Sequence, residues 1–340
     1  MIPIKTMSHV ENGHYTEPMV SVLMSVYGEP LEWLREAIDS ILQQTYTDFE
    51  FIIVNDNPER EELDGFLRES ATGDSRIRLI RNPENIGLTK SLNIGLRECR
   101  GRYVARMDAD DVSHSTRFEK QVAYMDAHPD VVVCGTDINY FGDVPVATYS
   151  DWIHESDEEI KAQMLSNSGF AHPTVMIRRE VLEANSISYD EAYRQGQDYR
   201  LWEQLYDFGK FANLGQKLYN YRLSASQVSK KSNTAQVALG LAVRRRIIKK
   251  WLLSIGIDDF APDSATDADV RRVARRIPKH DAANRSALTV FLRTYYFSRT
   301  ESVARTFLRA VAAGHFFRFS FKDKCRYAAI LFGLKKPIAW

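Results

Sequence analysis

Cysteine is scarce in this chain. Only Cys99, Cys134 and Cys325 occur, odd in number, far apart and without the spacing of a metal-binding set. That complement excludes a disulfide-stapled scaffold and predicts a reducing, cytoplasmic setting. Long apolar runs are missing too: none approaches the roughly 18 residues that span a bilayer, and the longest late one, Tyr327 to Leu334, is too short. Met1 to Pro18 mixes His, Glu and Asn without the apolar core of a secretory signal, so residues 1–18 read as a flexible N-terminus. No Gly-x-Gly-x-x-Gly follows the first apolar strand and no P-loop occurs anywhere. Both absences argue against a dinucleotide-dependent dehydrogenase and a P-loop kinase.

What is present is ordinary in bulk and uneven in detail. The 340 residues, 44% apolar and 26% charged, suit a soluble globular protein of about two domains. Net charge is zero, yet residues 271–340 hold 16 Lys and Arg against 3 Asp and Glu, a balance of +13 that leaves −13 on residues 1–270. Such asymmetry predicts an anionic partner for the tail. His315 to Lys322 interleaves aromatics with cations, which suits an anionic membrane surface; the alternative is a helical subdomain with its aromatics turned inward. Nucleic acid is a poorer partner, because no element for reading bases is evident.

The first third alternates strands and helices. Val20 to Val26 is an apolar strand broken by Tyr27-Gly28-Glu29-Pro30, and Leu31, Leu34, Ile38, Ile41 and Leu42 recur at helical spacing up to about Thr45. Strand Phe51 to Val54, a short helix near Leu63 to Glu69, strand Ile77 to Ile80, helix Leu88 to Cys99 and strand Tyr103 to Met107 follow. Four buried strands separated by three helices predict an α/β fold with an open, mostly parallel, Rossmann-like sheet, whose ligands lie at the carboxyl ends of the strands. Tyr27 and Glu29, Asn55 to Asn57, Asn82 to Asn85 and the Asp108 cluster occupy those ends.

Later elements are shorter. Val131 to Cys134, Asp137 to Phe141 and Val146 to Tyr149 read as strands, and Ser156 to Leu165 as a helix with a Ser156/Glu159 capping box. Gly169 to Pro173 leads into strand Thr174 to Ile177, and Gly196-Gln197-Asp198 opens a helix with Leu201, Trp202, Leu205 and Phe208 on its apolar face. Asp198 there is either an N-cap or a functional carboxylate. Beyond Ser229 helices are expected at Gln236 to Leu253, Ala283 to Ser298, Val303 to Ala313 and Asp323 to Phe332, with a linker from Ser254 to Asp269.

The chemistry concentrates in Arg106-Met107-Asp108-Ala109-Asp110-Asp111. Three carboxylates crowding the end of an apolar strand repel one another unless a cation intervenes. Asp108 and Asp110 can hold a hard divalent ion, Mg2+ or Mn2+, shared with a diphosphate, or can cap the helix expected from Ser115 to Ala127. Asp111 is the member assigned to that cap.

From Val20 to Ser229 the chain resembles the family 2 glycosyltransferases of GT-A fold. Val22 to Tyr27 with Glu29 is similar to the first nucleotide-contact strand, and Asn55-Asp56-Asn57 to a strand ending in paired acids, with Asn55 in place of the commoner first acid. Asn85-Ile86-Gly87 with Lys90 and Asn93 matches the family's Asn-x-Gly helix start. Asp108-Ala109-Asp110 looks like the metal-binding Asp-x-Asp, with Arg117 and Gln121 after it. His172-Pro173-Thr174 resembles the acceptor-side segment, Gln197-Asp198 with Leu201-Trp202 stands where the family carries Glu-Asp, and Tyr221-Arg222 closes the pattern. Gln197 departs from the usual Glu. The Gln-x-x-Arg-Trp motif of processive synthases is absent, which favours single additions.

The resemblance implies an inverting glycosyltransferase of cell-surface polysaccharide synthesis, with residues 19–230 as catalytic domain (19–112 nucleotide-binding, 113–230 acceptor half) and 231–340 as a basic helical extension. It implies Mn2+ or Mg2+ on Asp108 and Asp110, Asp198 as base, and Tyr27, Glu29, Asp56, Asn85, Gly87, Lys90, Arg106 and Asp108 around a nucleotide sugar. Uridine fits Asp56, which can accept from the N3–H of uracil, and Arg106 and Lys90 can balance diphosphate charge. His172, Gln197 and Trp202 fall on the side of a glycan or lipid-linked acceptor. The rivals are a non-catalytic scaffold, for which Gln197 speaks, and a nucleotidyltransferase, against which the lack of a glycine-rich basic loop after the first strand speaks. An enzyme of this kind would work in the cytoplasm, on the inner membrane face if the basic tail binds lipid.

Overall fold

The largely apolar runs Val20–Val26 (β1) and Phe49–Asn55 (β2) have no solvent side, and both are buried along their whole length in the computed structural model. The structure describes residues 17–143, 153–224, 234–261, 265–277 and 281–298. Helix α1 (Leu31–Leu42) crosses from β1 to β2, α2 (Glu61–Gly73) leads to β3 (Ile77–Arg81), and α3 (Leu88–Glu98) to β4 (Tyr103–Arg106). These four strands are parallel in the order β3-β2-β1-β4. Alternate side chains of each strand serve opposite layers: Val22 and Met24 pack with Leu34 and Ile38 of α1, whereas Leu23 packs with Leu92 of α3.

Beyond β4 the sheet changes direction. A two-residue β5 (Val112–Ser113) precedes α4 (Arg117–Ala127), followed by β6 (Val131–Gly142), α5 (Asp157–Gln163), β7 (Met176–Arg178), α6 (Arg179–Ala184), α7 (Gln197–Leu205) and β8 (Lys210–Leu223). Strand β7 pairs antiparallel with both β4 and β6, β8 runs parallel to β6, and β5 closes the edge on β8. The full order is β3-β2-β1-β4-β7-β6-β8-β5.

Several expectations are corrected here. The two strands read between Val131 and Phe141 are one strand, whose register against β8 shifts around Thr136 to Ile138. The strand expected from Thr174 starts only at Met176, because Thr174 closes the 3-10 turn His172–Thr174, in which Pro173 fixes the backbone and Thr174 Oγ1 donates to the Ala171 carbonyl at 2.8 Å. Strand β8 was not anticipated: Gly215 and a polar stretch interrupt its alternation. Ser156 does cap α5, but the Glu159 carboxylate meets the Ser156 hydroxyl and not its backbone, so the capping box is incomplete. The strand expected at Val146 to Tyr149 lies outside the described residues.

Helix α8 (Thr234–Ser254) and α10 (Ala282–Ser298) follow the expected pattern, and α9 (Asp267–Arg276), opened by a Thr266/Asp269 capping box, occupies the end of the stretch read as linker. Val243, Ile247 and Trp251 of α8 and Leu288, Phe291 and Tyr295 of α10 share a core with Ile160 of α5 and Trp202 and Leu205 of α7. The helices expected after residue 300 and the aromatic, basic stretch His315 to Lys322 lie outside the described residues.

Candidate active site

The end of β4 supplies a carboxylate turn over a buried cation. Arg106, 2% exposed, donates from Nη2 to Asp108 Oδ1, while its Nε and Nη1 have no partner among the described residues. Beneath it Arg117, fully buried without a carboxylate, donates from Nη2 to the Arg106 carbonyl at 2.8 Å and from Nε to Gln121 at 3.0 Å. Burial lowers the Arg117 pKa to about 10. Gln121 Nε2 donates onward to the carbonyls of Cys134 and Thr174, so the turn rests on a hydrogen-bonded floor spanning β4, β6 and the 3-10 turn.

Asp108, Asp110 and Glu29 converge above that floor. Burial, then the charges of Asp108 and Glu29, raise the Asp110 pKa to about 7. Burial chiefly raises Glu29 as well, although its carboxylate accepts from the backbone N–H of Tyr27 at 2.8 Å. None of the three aspartates caps α4: its N-cap is Thr116, and β5 intervenes. Asp111, expected at that cap, instead turns inward and accepts from the Arg222 backbone N–H at 2.7 Å. The Arg222 side chain donates from Nε to the Asp110 carbonyl at 2.6 Å, pairs with Glu36 of α1, and lies over the rings of Trp33 and Phe141 at 4.9 and 4.4 Å.

Asp56, at the end of β2, organises the neighbouring loop. Its Oδ1 accepts from Asn82 at 2.8 Å and from the Ile86 N–H at 2.9 Å, and its Oδ2 from the Gly87 N–H at 2.9 Å. Gly87 sits at φ +87°, a conformation that other residues reach with strain, so Asp56 and Gly87 together set the loop that carries Asn85. Tyr27 is half exposed beside it, its carbonyl accepting from Asn57 Nδ2 at 2.9 Å.

The segment before α7 is fastened to this loop through α3. Thr89 Oγ1 donates to the Tyr193 carbonyl at 2.8 Å, and Asn93 both donates to the Tyr189 carbonyl and accepts from the Tyr189 N–H. Tyr189, which sequence reasoning missed, bonds His172 Nε2 through its hydroxyl at 2.8 Å. Burial and the nearby Arg106 charge hold His172 neutral, well below the usual histidine range. Trp202, expected on the acceptor side, is wholly buried against Phe170 and His172 and offers no surface to a ligand. Gln197 is also buried, in the first turn of α7.

Asp198 follows it, and the N-cap of that helix is Gly196, with no side-chain cap. Ser168 Oγ donates to Asp198 Oδ2 at 3.4 Å, and burial raises the carboxyl against the lowering effect of backbone N–H groups. Asp198 and Asp108 are close enough to feel each other's charge, which brings the two carboxylate groups singled out by sequence into one region. The described residues contain no set of three metal-ligating side chains.

Residues 21–185 match the model of Glycosyl transferase family 2. An uncharacterized glycosyltransferase of Methanocaldococcus jannaschii is 34% identical over 62% of this chain and 73% of its own length. The chain belongs to glycosyltransferase family 2. The amylovoran biosynthesis glycosyltransferase AmsE of Erwinia amylovora is 33% identical over 63% of the chain and 79% of its length. The O-antigen biosynthesis glycosyltransferase WbnJ of Escherichia coli is 30% identical over 69% and 92%. Among solved structures, S. aureus TarS 1–349 in complex with UDP-GlcNAc shares the fold of this glycosyltransferase with TM-score 0.57 at 16% identity, covering 90% of this chain and 92% of that one.

Proposed function

We propose that this glycosyltransferase is metal-dependent and inverting, and that it moves a sugar from a nucleoside diphosphate sugar, UDP-linked by preference, to a glycan or lipid-linked acceptor in bacterial cell-surface polysaccharide synthesis. The relatives AmsE and WbnJ, named for amylovoran and O-antigen synthesis, support the setting. The observation that carries the chemistry is the convergence of Asp108, Asp110 and Glu29, with Asp110 raised to about 7 by burial first and then by the charges of Asp108 and Glu29.

Two carboxylates and no third ligand fit a small, hard cation that completes its shell with substrate phosphates and water. Asp110 and Asp108 would hold Mn2+ or Mg2+, and the ion would neutralise the departing diphosphate. Arg106, fixed under the turn, keeps Asp108 oriented and adds positive charge below it. Asp56 and Asn85 shape the loop for the nucleoside, the free capacity of Asp56 Oδ2 suiting a base N–H; Tyr27, Glu29 and Gly87 line the same edge. An acceptor hydroxyl is a weak nucleophile and needs a base. Asp198, raised by burial yet fixed by the first turn of α7, takes that proton as the hydroxyl attacks the anomeric carbon. One base and one displacement give inversion. His172, held neutral by burial and by the Arg106 charge, positions the acceptor without competing for its proton.

The basic residues 271–340 would hold the enzyme at an anionic bilayer on the cytoplasmic face; among the described residues no helix is long and apolar enough to cross a membrane. A panel of sugar nucleotides with Mn2+, followed by product analysis, tests the assignment. Nucleotide release that a chelator abolishes and Mn2+ restores is the expected result, and activity indifferent to chelation would remove the metal from the scheme. Asp198→Asn should retain nucleotide binding and lose transfer by about 1000-fold, the scale of a missing general base.

A further inference from the structure

Tyr189 stands on a loop, yet it is held as firmly as a residue of the sheet. It is 3% exposed, and Asn93 of α3 closes on its backbone from both ends, Oδ1 accepting from the Tyr189 N–H at 3.0 Å and Nδ2 donating to the Tyr189 carbonyl at 2.8 Å. The same helix begins at Gly87, and Lys90 in its first turn lines a cleft with Asn85. The clamped tyrosine ring meets His172 edge to face, with centroids 5.6 Å apart, and its hydroxyl lies 2.8 Å from His172 Nε2. Trp202 covers another flank of the imidazole at 6.1 Å. Nδ1 is left as the open nitrogen of a partly exposed ring, with no partner among the described residues.

Which nitrogen carries the ring proton follows from the Tyr189 hydroxyl. Burial holds that hydroxyl protonated, above the usual tyrosine range, and His172 is neutral, so a single proton joins the two groups and either can supply it. If Nε2–H donated, the Tyr189 proton would stay enclosed with no acceptor among the described residues. A buried donor left unpaired disfavours that arrangement by at least about fivefold in population. The Tyr189 hydroxyl therefore donates to a bare Nε2, and the imidazole proton sits on Nδ1. The Arg106 guanidinium, close enough to act on both side chains, opposes a second proton on the ring.

We propose that Tyr189 is a positioning residue that fixes His172 in the tautomer protonated at Nδ1, so that the open edge of the ring offers the acceptor a hydrogen-bond donor and not a second base. Nδ1–H can donate to a hydroxyl or ring oxygen of the acceptor, and it cannot take a proton from the attacking group. That step is left to Asp198. The identity of the group that receives the hydrogen bond rests on the glycosyltransferase reading above; the tautomer itself rests on the Tyr189–His172 geometry.

The test uses the full chain with isotope-labelled histidine and long-range proton–nitrogen correlation NMR, which tells a protonated Nδ1 from a protonated Nε2. The His172 signals are identified by their loss in His172→Asn. Near neutral pH the native chain should show a neutral His172 with its proton on Nδ1; a proton on Nε2, or on both nitrogens, would overturn the assignment. Tyr189→Phe should release the ring into a mixture of tautomers, and an undiminished Nδ1–H form in that variant would remove Tyr189 from the role. A second pair of variants reads the same preference without altering Tyr189. Asparagine carries its amide nitrogen at the position of Nδ1 and glutamine at that of Nε2, so nucleotide release in the sugar-nucleotide panel should fall about tenfold in His172→Gln, the scale of one lost hydrogen bond, and less in His172→Asn. The reverse order would overturn the donor role. A native chain that releases no nucleotide from any member of the panel would count against the glycosyltransferase reading instead, and the spectrum of the native chain would still decide the tautomer.

Discussion

Asp198 and Glu50 are both enclosed carboxylates, and their surroundings push them in opposite directions. Burial raises Asp198, and only weak donors oppose it. The ionised, proton-accepting form therefore gains population at higher pH than an ordinary aspartate, and kcat should rise along a limb displaced above the usual carboxylate range. Ser168→Ala removes one donor to the ionised form and should move that limb higher still; a profile of kcat against pH that is flat down to about pH 4 would exclude Asp198 as base. Glu50 lies at the opposite end of the sheet. Burial raises it too, but Ser21 at 2.6 Å, the Arg100 backbone N–H at 2.7 Å and the guanidiniums of Arg100 and Arg78 outweigh burial and lower its pKa. A lowered folded-state pKa gives stability that is complete above the unfolded value and lost as pH falls through the folded one. Glu50→Gln should cost about 2 kcal/mol near neutrality and flatten the acid limb of stability measured by denaturant unfolding.

At the scale of elements, the βα alternation up to β4 was readable because the strands are short runs rich in apolar residues and each helix repeats its apolar residues at the helical period. The carboxyl-end residues Glu29, Asp56, Asn85 and Asp108 were readable for the same reason. Strand β8 was not, since its site residues Tyr219 and Arg222 stand in a run whose alternation is broken by Gly215 and by register shifts against β6. Tyr189 was hidden in a loop, where no period marks which side chain turns inward. The role of Asp111 was misread because its partner lies 111 positions later in the chain. Arg222 shows what such a distant partner does: it binds the Asp110 turn to α1 through Glu36 and Trp33. Arg222→Met should weaken Mn2+ binding, measured in the presence of UDP, by about tenfold, and Arg222→Lys should not restore it, because a lysine cannot fork between Asp110 and Glu36 while stacking on Trp33. Gly196, at φ +72° with open space where a Cβ would stand, isolates backbone strain from crowding. Gly196→Ala should therefore cost about 1 kcal/mol and lower the melting temperature by a few degrees while disturbing the first turn of α7.

Across the whole molecule, helices α8 and α10 are not a free appendage. Glu203 of α7, 3% exposed, is surrounded by Arg200 together with Arg246 and Lys250 of α8, and Arg246 also donates to the Tyr193 hydroxyl. A chain ended after residue 233 would strip Trp202, Leu205 and Ile160 of their cover and leave the Glu203 charge with fewer partners. Burial of each such apolar side chain is worth about 1.5–3 kcal/mol, so this truncation should give insoluble protein or one that binds a hydrophobic dye; a monodisperse, cooperatively unfolding product would refute the shared core.

The placement of β8 also bears on how the enzyme is made. The parallel β3-β2-β1-β4 half can gather early, since its four strands come from one continuous stretch of sequence, residues 20–106. The Asp108–Asp111 turn cannot reach its final form then, because Tyr219 and Arg222 must first be synthesised and threaded along β6. During synthesis the carboxylate turn is thus the last-assembled part of an otherwise early-folding half, complete only when its own late strand arrives.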